Sequence, residues 1–364
     1  DPVSGKILTE VRAIWRGCGG RYLEGPHLYR INGFYYLMAA EGGTEYGHME
    51  VIARSNSPYG PFETPPTDSP DANPFLTNRN LGGYPLQGTG HADLVQDLDG
   101  NWWAVLLAFR QIGQYLAFHH LGREVCLVPV HFTEDGWLRA GTDGTVRLTM
   151  TGPLSSEPIK QEMMKRLTFS NTSPGMEWVY LRNPFSENYR FLPGDSLQLR
   201  GTSVSLDNPD LSPTFLGLRQ SEFTGQLQVH LHSTTGEAGI SIYQNETHHY
   251  ELALLQKDGK SWLIKRRTIG DMQYIQKKCI LPDQTFDLML SIRMDSENYY
   301  FQAEISSSAY GAETDYDFGS AESRYLSSEV AGGFTGVMLG LYAVNTKEQF
   351  ATFSNFSYEM EYKE

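Results

Sequence analysis

Cysteine is scarce in this chain of 364 residues, which has only Cys18, Cys126 and Cys279. They lie far apart without a CxxC spacing, so neither a zinc site nor a redox pair of neighbouring thiols is supported. We expect all three to be small buried hydrophobes. Runs of about 18 apolar residues are also missing, so no membrane-spanning helix and no membrane partner are predicted.

Several catalytic signatures are absent as well. The chain has no HExxH, no GxSxG and no GxGxxG in a βαβ setting, so zinc protease, serine hydrolase and dehydrogenase lack support. Positively charged residues are outnumbered, with 29 Lys and Arg against 43 Asp and Glu, which gives a net charge of -14. This balance repels phosphate backbones and argues against a nucleic-acid partner, while neutral sugars remain compatible. Sequons at Asn171, Asn245 and Asn355 favour a secreted protein.

What the sequence does contain is typical of an all-β protein: short aromatic and β-branched runs broken by Gly, Asn, Asp and Pro. Two similar segments each read as a strand, a tight turn and an aromatic strand, with turns at Asn32-Gly33 and Asp99-Gly100. A third turn is predicted at Asp135-Gly136. Repeats of this kind indicate propeller blades. A lone outer strand is predicted at 7–15.

The predicted domains are a propeller portion over 1–152, a linker over 153–176 and a jelly-roll β-sandwich over 177–364. In the third of these, about nine alternating strands are expected, from Ser196–Leu199 to Ala351–Tyr358. A propeller needs roughly four to eight blades. Residues 1–152 hold barely two, so we expect the missing blades to come from upstream sequence or from another chain.

Glu24 is the first candidate for chemistry, because Gly25 and Pro26 fix its backbone without a bulky neighbour. At the inner end of a blade it would face a central cavity, and apolar walls would raise its pKa. Such a carboxylic acid can protonate a glycosidic oxygen. The alternatives are a surface glutamate or one that caps nearby amides. Thr44 lies in a glycine-rich loop that either lines a sugar site or is a plain turn.

His91 and Arg123 are the other candidates in the first part. Gly88 and Gly90 before His91 permit close backbone approach, which favours a metal or sugar ligand over a buried histidine bonded to carbonyls. Arg123 could hold sugar hydroxyls or tune a carboxylate by charge. A structural ion pair between Arg123 and Glu124 is the alternative.

Together these segments resemble glycoside hydrolase family 43, in its β-xylosidase and α-L-arabinofuranosidase type with a C-terminal β-sandwich. The matching segments are Glu24-Gly25-Pro26-His27, Tyr35-Tyr36-Leu37-Met38, Glu41-Gly42-Gly43-Thr44, Ile52-Ala53-Arg54-Ser55, Gly60-Pro61-Phe62, Gly88-Thr89-Gly90-His91-Ala92-Asp93-Leu94 and Leu121-Gly122-Arg123-Glu124. Their order resembles the last two blades of that family's five-bladed propeller.

The resemblance implies an inverting mechanism in which Glu24 is the general acid. It implies that His91 is the axial histidine that contacts a central metal ion or its waters, with Ca²⁺ as the candidate ion and no cofactor required. Arg123 and Thr44 would line the sugar subsite. Phe334, in the Gly332–Gly336 loop, resembles the aromatic residue that closes the pocket.

Two aspartates of the family pattern, the base and the one that tunes the acid, have no matching position in this chain. Inversion needs two carboxyl groups on opposite sides of the bond. The sequence therefore predicts exo-hydrolysis of xylan- or arabinose-containing plant polysaccharides, with the base supplied from outside these residues. The alternative is a catalytically incomplete, carbohydrate-binding chain.

Overall fold

Antiparallel strand pairing dominates the computed structural model. The structure describes residues 1–69, 72–153, 164–167, 169, 175–281, 287–306 and 313–361. Two compact units form, residues 1–117 with 123–157 and residues 118–122 with 158–364. The all-β prediction is confirmed. Most of the predicted linker, the sequon at Asn171 included, lies outside the described residues.

The first unit has two sheets among its described residues. Strands β1, β2 and β3 form one in that order, and β4, β5, β6 and β7 form the other. Their bounds are β1 Glu24–Ile31, β2 Phe34–Glu41, β3 Met49–Ser55, β4 Leu86–Gln96, β5 Trp102–Arg110, β6 Glu124–Phe132 and β7 Leu138–Ala140. The sheets match the two predicted blades in strand and turn order, and the five-bladed propeller stays a prediction from the resemblance.

The turns predicted from the sequence are present at the predicted residues. Asn32 and Gly33 both have positive φ, 50° and 89°, and Ile31 pairs with Phe34 directly across the turn. This is the backbone that an Asn-Gly hairpin requires. The predicted strand over 7–15 is wrong, because that segment forms no strand. Several of its apolar side chains are exposed, as at Val11, and Trp15 packs on the first unit without pairing to a strand.

One hydrophobic cluster joins the two sheets of the first unit. It includes Tyr36 and Met38 from β2, Leu94 from β4, Leu106 from β5 and Val128 from β6, each at most 8% exposed. Alternation along each strand sends every second side chain to this core. The other face carries exposed apolar side chains in places.

The second unit contains two larger sheets. One has seven strands in the order β17-β16-β15-β14-β21-β12-β9, and the other has eight, β10-β11-β22-β13-β18-β19-β20 with β8 also paired to β22. The bounds are β8 Met164–Leu167, β9 Trp178–Tyr180, β10 Tyr189–Leu192, β11 Ser196–Leu199, β12 Thr214–Arg219, β13 Thr224–Ser233, β14 Glu237–Asn245, β15 His248–Lys257, β16 Lys260–Ile269, β17 Met272–Ile280, β18 Asp287–Met294, β19 Asn298–Ser306, β20 Glu313–Glu322, β21 Met338–Val344 and β22 Ala351–Glu361.

The two sheets pack face to face, as a sandwich requires. Side chains such as Val229 and Ile240 meet in a core to which both sheets contribute. The seven-stranded sheet is covered on its other face too, by a second cluster that includes Leu181, Leu206 and Phe215. Double coverage explains why β14 and β15 are almost continuously buried instead of alternating.

Helix is confined to single turns in the described part: 3₁₀ turns at Ser186–Asn188 and Ser323–Leu326, and a short α-helix at Ser328–Ala331. None of the helices among the described residues is long and apolar enough to cross a membrane.

A pentapeptide from the first part of the sequence belongs to the second unit. Its carbonyls at His119 and His120 accept hydrogen bonds from the amides of Ser328 and Val337, at 3.0 and 2.9 Å. The His119 ring also contacts Glu329 at 2.8 Å. The chain therefore enters the second unit at residue 118 and leaves it at residue 122, directly before Arg123.

Candidate active site

Glu24 begins β1, and its neighbour Gly25 lies against the ring of His91. A Cβ atom at Gly25 would lie 2.4 Å from His91 Nε2, and the φ of Gly25 is +53°. Only glycine fits such a contact in such a conformation. The glycine after Glu24 therefore brings the carboxylate-bearing backbone next to the histidine, as the sequence pattern suggested.

His91 lies in a turn-like irregularity of β4. Its φ is 56°, and the pairing of β4 with β5 shifts register on both sides of Gly90. Bulges of this kind re-aim a side chain. The Nδ1 atom of His91 is buried and has no hydrogen-bond partner among the described residues.

A buried carboxylate holds this turn. Glu50 in β3 has no exposed surface, and its Oε2 accepts a hydrogen bond of 2.9 Å from the amide of Ala92. Burial raises the pKa of Glu50 to about 8, against the lowering effect of the amides of Ala92 and His91. Its Oε1 has no hydrogen-bond partner in the described part of the chain. The sequence analysis missed Glu50, although an acid alone in an apolar strand is a usable signal.

His48 was also missed as a site residue. It is buried, its Nδ1 lies 2.9 Å from the carbonyl oxygen of Gly88, and a Cβ atom at Gly90 would lie 2.8 Å from its ring. The rings of His48 and His91 are 6.1 Å apart. Gly90 thus makes room for a second histidine.

Electrostatics places the predicted residues in one neighbourhood. Burial lowers the pKa of His48, the charges of His91 and Arg123 lower it further, and the charge of Glu24 opposes them. Glu24, His91 and Arg123, which are separated by up to 99 positions in the sequence, are thus all within electrostatic range of His48.

Glu41 fixes the loop that carries Thr44. This buried carboxylate accepts hydrogen bonds from the amides of Cys18 and Gly20, at 2.6 and 2.8 Å. Thr44 is half-buried, and Arg21 forms an ion pair of 2.6 Å with Glu45 beside it. Glu41 thereby positions both the loop and the segment that leads to Glu24. The role of Thr44 stays a prediction.

Arg123 precedes β6 and is exposed. Its sequence neighbour Glu124 forms an ion pair of 2.8 Å with Arg110. Phe334 belongs to the second unit, where it follows two glycines of positive φ and is 54% exposed. Its predicted role in closing a pocket stays a prediction.

Glu24 itself is exposed. The sequence analysis expected it in a dry hollow with apolar walls, and the described residues do not build such walls around it. The role of Glu24 as the general acid stays a prediction.

Ca²⁺ takes six to eight oxygen ligands, whereas His48 and His91 offer nitrogen. In the ranges that the structure describes, no group of three or more His, Cys, Asp or Glu side chains could hold a metal. A Ca²⁺ ion contacted by His91 through its waters stays a prediction.

Family models match both units. The model of glycosyl hydrolases family 43 matches residues 1–138, and the model of the β-xylosidase C-terminal concanavalin A-like domain matches residues 166–359. The chain belongs to glycosyl hydrolase family 43. The second match also confirms the predicted sandwich in this family 43 chain.

Known relatives agree. A non-reducing-end α-L-arabinofuranosidase of Bacteroides ovatus is 38% identical over 350 residues, which cover 94% of this chain and 63% of that protein. A xylosidase/arabinosidase of Butyrivibrio fibrisolvens is 31% identical, covering 97% of this chain and 67% of the relative. The solved structure of the Bacteroides ovatus xyloglucan PUL GH43B protein has a TM-score of 0.86 at 35% identity, covering 100% of this chain and 70% of that one. The family 43 chain thus spans about two thirds of the length of these relatives.

Proposed function

We propose that the protein containing this chain hydrolyses terminal pentose residues from the non-reducing ends of plant polysaccharides. α-L-Arabinofuranosyl groups are the first candidate, because the arabinofuranosidase of Bacteroides ovatus has 38% identity to this chain. β-Xylosyl groups are the second, because the relative from Butyrivibrio fibrisolvens is named for both activities. Because such polymers lie outside cells, we also propose a secreted protein.

The proposal rests on Gly25, the residue after Glu24, whose backbone packs so closely on the His91 ring that only glycine fits there. In the proposed reaction the Glu24 carboxyl gives its proton to the glycosidic oxygen as the bond to the anomeric carbon breaks. Water attacks that carbon from the opposite face and loses a proton to a carboxylate base, which inverts the configuration.

Exposure of Glu24 is compatible with this role once substrate is considered. A bound sugar would itself exclude water from the carboxyl group, and catalytic contacts often tighten only in the complex. Arg123 and Thr44 would hold sugar hydroxyls. We propose that the base comes from a part of the protein outside these 364 residues, since the family's base has no counterpart here.

Leaving-group dependence tests the acid role. In the full-length protein, Glu24→Gln should lower kcat about 10²–10⁴-fold for arabinosides with poor leaving groups, because general acid catalysis contributes that much. Activated aryl arabinosides, whose leaving groups need no proton, should be affected far less. Glu134→Gln, an exposed glutamate on the β6–β7 turn, is the matched control. Equal losses on both substrate classes would remove Glu24 from the acid role.

A second candidate function is sugar binding without hydrolysis. It is favoured by the exposure of Glu24 and by the lack of a counterpart to the family's base. Calorimetry with arabino- and xylo-oligosaccharides, beside a reducing-sugar assay on the same protein, separates the two. Binding without release of sugar would favour this second function.

A further inference from the structure

A polar cleft lies on the face of the seven-stranded sheet that is turned away from the sandwich core. Leu252 and Leu254 of β15 face the core, so the alternate residues His249 and Glu251 face the other way. The cleft has a volume of about 190 Å³, and its lining also includes Ser205, Leu206, Asp207, Glu237, Arg266, Gln273, Tyr342 and Val344. Every lining residue belongs to the second unit.

One part of the charge network in the cleft is the pair of Arg266 and Glu237. Its guanidinium donates two hydrogen bonds of 2.7 Å to the two carboxylate oxygens of Glu237. The hydroxyl of Tyr342 donates to the same carboxylate at 2.6 Å. Glu237 is therefore fully engaged in a planar arrangement that only arginine supplies.

The other part centres on His249, which lies between two carboxylates. Its Nδ1 contacts Glu251 Oε1, and its Nε2 lies 3.0 Å from Asp207 Oδ1. Burial by itself lowers the pKa of His249, but Glu251 and Asp207 outweigh burial and raise it to about 9. The imidazole is therefore charged at neutral pH. Gln273 at the rim donates to Asp207 at 2.6 Å.

One oxygen atom of this network lacks a hydrogen-bond partner among the described residues. Glu251 is 1% exposed, and its Oε2 is buried without a hydrogen-bond partner among the described residues. Arg266 forms an ion pair with this oxygen at 3.6 Å, which is beyond hydrogen-bond distance. A network that served only to tie strands together would satisfy this oxygen internally, because an unmet buried acceptor is unfavourable. Glu251 lines the cleft, where a bound molecule would supply the missing donor.

The charges around the cleft select the class of that molecule. Three carboxylates disfavour an anion, and the charged His249 and Arg266 disfavour an ammonium group. A neutral hydroxyl is compatible with both, because it donates and accepts at once. The volume of about 190 Å³ is below the range of drug-sized ligand pockets, roughly 300–1,000 Å³, and is suited to a single small polyol.

We propose that this cleft binds one neutral sugar residue, with a sugar hydroxyl donating to Glu251 Oε2 and Gln273 contacting the sugar at the rim. The site is separate from the residues near Glu24 and does not depend on the proposed reaction. Its place on the sandwich gives that domain a sugar-binding role of its own.

Histidine resonances offer a local test. The protein labelled with ¹³C-histidine is titrated with D-xylose and L-arabinose, and the His249 ring is identified by the resonance that is missing in His249→Gln. Its Cε1–H resonance should shift and saturate, with a dissociation constant of about 1 mM or weaker for so few contacts. Assignment of His91 with His91→Gln tells this response from binding near Glu24.

Variants decide whether the cleft is the site. Gln273→Ala should weaken the response about three- to tenfold, the effect of one hydrogen bond, and Glu251→Gln should abolish it. Gln276→Ala, an exposed glutamine on the same strand β17, is the matched control and should leave it unchanged. The proposal is overturned if His249 does not respond to either sugar, if Gln273→Ala and Gln276→Ala behave alike, or if only methylammonium binds. Hydrolysis by the protein is measured separately, so failure of one proposal leaves the other standing.

Discussion

Replacing Glu50 by glutamine should remove a pH dependence from the turn that carries His91. Because burial raises the pKa of Glu50 from 4.5 to about 8, the folded protein keeps this proton where the unfolded chain has lost it. The unfolded chain then binds fewer protons, so the free energy of unfolding falls as pH rises from about 4.5 to 8. At about 1.4 kcal/mol per pKa unit the full effect is about 5 kcal/mol, an upper bound.

Hydrogen exchange, measured by mass spectrometry on a peptide covering residues 86–96, reports the pH dependence of the stability of this turn. The protection of the β4 amides, corrected for intrinsic exchange, should fall between about pH 5 and pH 8 in the wild type. Glu50→Gln, whose side-chain oxygen can still accept from Ala92, should show little change over that range. Glu134→Gln should behave like the wild type. Equal pH dependence in Glu50→Gln and the wild type would refute the assignment of a buried, proton-holding carboxyl.

Two further predictions concern a glycine and a buried lysine. Gly25→Ala should disrupt the contact with His91 and lower activity. Gly33→Ala, with positive φ but open space around it, should cost only backbone strain of about 1 kcal/mol. If the two variants lose equal stability and Gly25→Ala keeps its activity, this prediction is wrong. Lys265 is fully buried, and burial, helped by Arg267, lowers its pKa to about 7. The unfolded chain binds the extra proton between about pH 7 and 10.5, so wild-type stability in urea should rise with pH there, and Lys265→Met should lack that rise.

Local sequence signals predicted most of the strand and turn pattern. Asn32-Gly33 specified its hairpin because the two positive φ angles needed there suit Asn and Gly, and no distant contact is required. Strand Ser196–Leu199 was predicted with the bounds that the structure has. The segment 7–15 failed because an apolar alternating pattern does not supply a neighbouring strand. Strands such as Met272–Ile280 were missed because all but one of their side chains are exposed and the pattern carries no alternation.

In the candidate site, the sequence identified the residue types, and only the structure shows which of them are in contact. The glycines at 88 and 90 indicated close backbone approach, and Gly25 a backbone without a bulky neighbour, and neither inference needed coordinates. Which side chain approaches is a matter of tertiary structure: His91 packs on Gly25, and His48 packs on Gly90. Glu50 bonds the turn of β4 only because folding places β3 beside that turn.

The amino-acid sequence by itself determined an all-β chain of two parts, its hairpin turns and its membership of a sugar-hydrolysing family, because those follow from local backbone preference and from the order of motifs. Only the tertiary structure decided that residues 118–122 leave the first unit for the second, that the sandwich sheet is covered on both faces, and that a charged cleft lies in that covering. These features depend on contacts between residues up to about 200 positions apart, such as His119 with Glu329, and no local pattern encodes such a pairing.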